Sequence, residues 1–229
     1  MKRMMSALTA DIRFQFRQGF YLIYLILTVV YIVIIYQVGP KAALILVPVI
    51  IYIDPSMVGF MFTGGLVMLE RQQGIIGYLG ITPLSTIGYI IAKILSMALL
   101  ALVAAFSIAI ASGLVFNPLL LAFGVIIVSI FNSLLGFTAS VGSRSMNDYF
   151  IRMIPFMFII IIPTLGFIDM EWFVPLRYMP GFAGVRLIMG CFIEDFANSF
   201  LIDASITAAW CLALLFPVVR YFDRKMIRR

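Results

Sequence analysis

Ten carboxylates, sixteen cationic side chains and no histidine make up the charge that this 229-residue chain has for chemistry. Without imidazole it lacks the commonest general base and a principal metal ligand. No pair of carboxylates, and no serine with a neighbouring base, stands within an apolar run, so no catalytic group is expected. Cys191 and Cys211 are far apart, one predicted near the outer surface and one mid-membrane, so neither a disulfide nor a metal site is expected. A GxxxxGK[ST] loop, which would cradle nucleotide phosphates, is also missing. The acidic residue that stands out is Asp54, followed by Pro55 at the start of an apolar run. An acid there is a functional candidate by default. The simpler reading, which is preferred, is an N-cap carboxylate in water with proline at the first helical position.

The elements that must carry these residues belong in a bilayer. Apolar residues make up 64% of the chain and charged ones 11%, against about 25% charged in soluble domains. An all-α membrane protein of one domain, residues 1–229, follows. Six apolar runs are long enough, or nearly so, to cross about 30 Å of hydrocarbon: Gln18–Pro40, Pro55–Leu69, Ile94–Val115, Leu119–Val141, Met153–Ile168 and Phe200–Val219. Too long for a signal-peptide core, the first is expected to stay attached.

Six crossings put both termini on one side. That side holds Lys2, Arg3, Arg13, Arg17, Arg71, Lys93, Arg144, Arg152, Arg220, Arg224, Lys225, Arg228 and Arg229, and the other only Lys41, Arg177 and Arg186. The excess predicts cytoplasmic termini in a plasma (inner) membrane and explains the charge of +6 without nucleic acid.

Residues 1–18 place Lys2, Ser6, Thr9, Arg13 and Arg17 on one stripe and Met1, Met5, Leu8, Ile12 and Phe16 on another, as in an interfacial amphipathic helix. Ala101, Ala105 and Ala109, and likewise Asn132, Gly136 and Ser140, recur every four residues, which suits close helix packing with Asn132 bonding across the contact. Between the fifth and sixth runs, residues 169–199 are apolar yet broken by Pro175, Pro180 and Gly181. They are expected to form short re-entrant or surface helices at the outer end, where protein buries the broken backbone.

The stretch between the second and third runs, residues 70–86, is too short to cross and too apolar to dissolve freely. Glu70 and Arg71 mark a helix end, glycines follow at 74, 77 and 80, Pro83 forbids helix continuation and Ser85 is placed to cap the next helix. Such an element should lie at the membrane face and offer a surface to another protein.

At these residues the sequence resembles the permeases of ABC-2 type exporters. The matching positions are Glu70, Arg71, Gly74, Leu79, Thr82, Pro83, Leu84, Ser85 and Lys93, with Gly77 and Tyr78 where the short helix usually carries an acid. The preceding residues, Asp54 to Arg71, look like a drug-export subgroup often labelled fluoroquinolone exporters. The resemblance implies a permease without enzymatic activity, paired with a second permease chain as homodimer or heterodimer and with two copies of a separate ATPase that binds ATP and Mg. Glu70 through Ser85 would be the coupling segment. A substrate path would run between the permease copies, with Tyr24, Tyr31, Asp54, Met57, Met61, Phe62, Thr63, Asn132, Met153 and Phe156 as candidate liners.

The expected function is export of a hydrophobic or amphipathic, drug-like molecule from the cytoplasm or inner leaflet. The many methionines and phenylalanines suit an adaptable apolar surface. The alternatives are a dedicated exporter of a lantibiotic, lipid or haem-like molecule, a non-transporting scaffold subunit, or, least favoured, an intramembrane enzyme.

Overall fold

A computed structural model of the chain describes residues 2–79, 84–165 and 177–227. Eleven α-helices are described: α1 Lys2–Arg17, α2 Phe20–Val38, α3 Pro40–Ile53, α4 Val58–Gln72, α5 Ile75–Leu79, α6 Thr86–Ala111, α7 Pro118–Gly142, α8 Met146–Leu165, α9 Pro180–Met189, α10 Glu194–Ala197 and α11 Phe200–Phe222. No strand occurs among the described residues. Five helical stretches there have the length and apolarity to cross a membrane: Phe20–Val38, Pro40–Gln72, Thr86–Ala111, Pro118–Gly142 and Phe200–Lys225.

Local chemistry sets the boundaries. Gly39 takes φ 81°, which turns α2 into α3, and Pro40 starts α3 at a position where its missing N–H is harmless. Asn117 caps α7 by accepting from the N–H groups of Leu119 and Leu120, with Pro118 at the first turn. Ser85 caps α6 by accepting from Gly88 N–H at 3.1 Å, as its position predicts. At the start of α8, Ser145 accepts from Asp148 N–H while the Asp148 carboxylate accepts from Arg144 N–H. That N–H, joined by the Arg152 side chain, holds the Asp148 carboxyl below the usual carboxylate range.

The second hydrophobic region differs from the expected short helix starting at Asp54. Helix α3 leads through one 3-10 turn, Pro55–Met57, directly into α4. Asp54 has helical torsions (φ −102°, ψ −73°) and its side chain makes no cap bond. A capping side chain normally hangs from an extended residue, and this one does not. Helix α6 also starts earlier than the apolar run predicts, at Thr86, so Lys93 lies two turns inside a helix and is fully buried.

The centre of the bundle is the α4–α7 contact. Gly59, Gly64 and Gly136 let the two backbones meet: a Cβ on Gly64 would fall 2.6 Å from Gly136 O, and one on Gly59 would fall 2.9 Å from Ser129 O. Asn132 Nδ2 donates to Ser56 O at 2.8 Å, and the Tyr149 hydroxyl lies 3.0 Å from both Phe60 O and Met61 O. These bonds join the 3-10 turn, α4, α7 and α8. Ala101, Ala105 and Ala109 are buried on α6 at the expected spacing.

Of the segment 169–199, residues 169–176 lie outside the described residues. The rest contains α9, whose residues other than Phe182 are all buried, packed among α3, α7, α8 and α11. Ten residues reach about 15 Å, too little to cross. Arg186 of α9 lies 3.1 Å from Asp203 of α11 and donates to Ser199 Oγ. Asn117 N–H donates to Cys191 O, so the α6–α7 turn meets the end of α9.

Candidate functional site

The charge at the foot of the bundle is concentrated on one buried lysine. Lys93 Nζ lies 2.7 Å from Glu70 Oε1 and 3.1 Å from Asp11 Oδ1, joining α6 to α4 and α1. The Tyr89 hydroxyl, one turn before Lys93, donates to the other oxygen of Glu70. Gln15 of α1 donates to Ser96 Oγ, and Ser96 donates to Lys93 O. Burial pushes the Asp11 carboxyl above its usual range, opposed by the Lys93 ammonium and reinforced by Glu70. One cation thus holds two carboxylates in a mostly water-free place, where each pair interaction is stronger than at a surface.

This node explains how α1 sits. Its less exposed positions include Met4, Ala7, Leu8, Asp11 and Gln15, spaced at three and four residues. Met5 and Phe16 of the predicted apolar stripe stay exposed. The sequence reading singled out Glu70 and Lys93 but not Asp11, Gln15 or Tyr89. A lone acid on an otherwise basic helix was the available signal.

Immediately beyond Glu70, Gly74 takes φ 76° and breaks the helix, and α5 begins at the next residue. Ile76 is buried against Tyr89, Phe137, Val218 and Phe222, whereas Ile75 and Gly77 are exposed. Helix α5 also touches the π-helical turn Asp223–Ile227 that ends α11. Thr86 donates to Asp223 at 3.0 Å, which brings the start of α6 and the end of α11 together. Arg71 is turned inward, donating to Ser143 O. Leu79 and Leu84 pack at the margin of the same cluster. The motif residues Thr82 and Pro83 lie outside the described residues.

The candidate path residues fall in separate places. Met57 and Met153 are buried in the main core with Phe156 against them. Thr63 and Asn132 are fully buried, Asn132 spent on helix packing. Met61 is exposed, and the Phe62 ring lies tilted against Phe20 of α2 with ring centres 4.7 Å apart. Tyr24, Tyr31 and Asp54 do come near one another, both tyrosines lying within reach of the Asp54 carboxylate's charge. Tyr24 also lines a cavity of about 310 Å³ between α2 and α6.

Long apolar helices locked together by buried polar nodes define a multi-pass membrane protein. The chain belongs to the fluoroquinolones export permease protein family, whose pattern it matches over residues 2–229. Two curated relatives are fluoroquinolones export permease proteins of Mycobacterium tuberculosis, one from strain CDC 1551 / Oshkosh and one from strain H37Rv. Each is 26% identical over 196 residues, covering 85% of this chain and 83% of the relative. No solved structure matches the chain. The family makes it an export permease.

Proposed function

We propose that the chain is the membrane half of an ATP-driven exporter of ABC-2 type that moves lipophilic or amphipathic, drug-like molecules outward. The observation that carries this reading is α5, an apolar helix set at the foot of α4 by the Gly74 turn, with Ile76 anchored and Ile75 presented outward. A separate ATPase, holding ATP and Mg, docks on that exposed face, since the sequence has no phosphate-cradling loop of its own.

The Lys93 node then passes the push onward. Glu70 is occupied by Lys93 and Tyr89, so its part is to hold the base of α4 stiff under α5 rather than to reach into the ATPase. Helices α1, α4 and α6 respond together, as a rigid-body rocking of one permease copy against another requires. ATP drives the change only in so far as it binds one state of the assembly more tightly. The cargo path lies between two permease chains, reached from α2 and α4.

Chain order supports six crossings with both termini on the cytoplasmic side. The end of α11 meets the start of α6 through Asp223, while the start of α11 meets α9 at the other end through Asp203. The chain must therefore travel the length of the bundle between α7 and α11. Helix α8, with 20 residues or about 30 Å, is the element able to do so.

The reading is tested by expressing the tagged chain in its source cells and identifying the ATPase that co-purifies with it. Wild type should co-purify with the ATPase and export drug only with ATP. Ile75→Asp should insert normally yet lose the ATPase and the export. Nucleotide-free export, or an Ile75→Asp chain that keeps its ATPase, would refute it.

A further inference from the structure

Where α7 and α11 run side by side toward the end of α11, a groove of about 210 Å³ lies between them. Helix α7 lines it with Thr138 and Gly142, one turn apart, and α11 with Leu214, Pro217 and Tyr221, at i, i+3 and i+7. Lys225, the last residue of the span-length stretch that begins with α11, lines the same groove. It is exposed, lies over the Tyr221 ring at 5.9 Å from its centre, and has no ion pair among the described residues. A second cation reaches the groove's edge from α8. Arg152 Nε is held by Asp148 at 3.0 Å, whereas its Nη1 lies against Gly142, so close that an added Cβ would collide with it. No carboxylate lines the groove among the described residues.

Shape and charge together select the occupant. The groove is apolar along its length and cationic at the membrane face, where α11 ends. Its volume is below the roughly 300–1,000 Å³ of small-molecule pockets, so it suits one hydrocarbon chain better than a drug-sized body. An ammonium and a guanidinium at such a place attract a phosphate, and basic pockets between membrane helices hold anionic headgroups. A zwitterionic lipid carries its own ammonium and gains less from them.

We infer that the α7–α11 groove is a binding site for one anionic phospholipid, with an acyl chain against Leu214 and Pro217 and the phosphate at Lys225 and Arg152. The site is separate from the cargo path and the ATPase face, and it does not rest on the export reading.

The test reconstitutes the purified full-length chain in nanodiscs of equal parts phosphatidylglycerol and phosphatidylcholine with matched acyl chains. Native mass spectrometry then reads the lipid that stays bound on release into detergent. Wild type should retain phosphatidylglycerol in preference to phosphatidylcholine. Lys225→Gln should lower retained phosphatidylglycerol about fivefold, the scale of one cation at a membrane surface, and Lys225→Arg should keep it. Thr138→Phe fills the groove without touching the charge and should lower it too. Arg13→Gln removes a cation on α1, outside the groove, and should change nothing. Equal retention of the two lipids by wild type, or an equal loss in Arg13→Gln and Lys225→Gln, would overturn the inference, the latter because it means diffuse surface charge. A Thr138→Phe chain that keeps its phosphatidylglycerol would remove the groove from the account. Displacement of the lipid by inorganic phosphate would mean a site for a free anion and would overturn the lipid assignment.

Discussion

Lys93 bridges two carboxylates, so its removal and theirs are not equivalent. Asp11→Asn leaves a one-to-one pair of Lys93 with Glu70, relieves burial of a charge that is already disfavoured there, and should cost about 1 kcal/mol. Lys93→Met leaves two carboxylates facing each other without a cation and should cost about 3–5 kcal/mol. The triple variant Asp11→Asn, Glu70→Gln, Lys93→Met should regain much of that loss, as buried charges replaced together often do. Thermal unfolding of the purified chain measures all three, and equal losses for the two single variants would contradict the bridging role. Glu70 and Lys93 both stood in the sequence motif, but their partnership did not, because a turn and a second helix separate them. Asp11 was hidden by the arginines that dominate its helix. Asp54 was legible as an unusual acid. That it caps nothing was not, since its backbone torsions depend on α3 continuing into the turn.

At the scale of helices, Gly64 and Gly65 form a matched pair of neighbours in α4. A Cβ on Gly64 runs into the Tyr149 ring and Gly136 O, whereas one on Gly65 meets nothing within 4 Å. Gly65→Ala should therefore stabilise by up to about 1 kcal/mol through helix propensity alone. Gly64→Ala must push α4 off α7 and should destabilise by roughly 1–3 kcal/mol, the range for overpacking. Melting temperatures moving in opposite directions would bear this out, and a harmless Gly64→Ala would show that the α4–α7 contact is looser than its geometry. The every-fourth-residue pattern on α7 pointed to this contact, and Asn132 does bond across it. The partner helix was not legible: two glycines in α4 read equally as ordinary membrane-helix residues. Long spans were read from hydropathy because each is a single apolar run. Helix α3 was missed because Pro48 and Asp54-Pro55 look like breaks, whereas Pro48 lies buried inside α3.

For the molecule as a whole, the contacts divide the chain between two ends. One end gathers α1, α5, the start of α6 and the end of α11; the other gathers the α6–α7 turn, the end of α9 and the start of α11. Under the proposed topology the first end is the cytoplasmic one, since thirteen of sixteen cationic residues belong to it by the span order. Hydropathy could suggest six crossings, but it takes the meeting of α6 with α11 at one end, and of α9 with α11 and the α6–α7 turn at the other, to tie the two ends of the bundle to particular turns. Single cysteines in a background lacking Cys191 and Cys211 test the assignment. Val115, in the α6–α7 turn, and Arg13, on α1, are both exposed. Val115→Cys should react with a membrane-impermeant maleimide in intact spheroplasts, and Arg13→Cys only after permeabilisation. The reverse pattern would put α5 outside the cell, where no ATPase could reach it, and would end the coupling reading at once. Labelling of both from outside would mean that the bundle does not separate these ends across the bilayer, so α8 and α11 could not both be crossings.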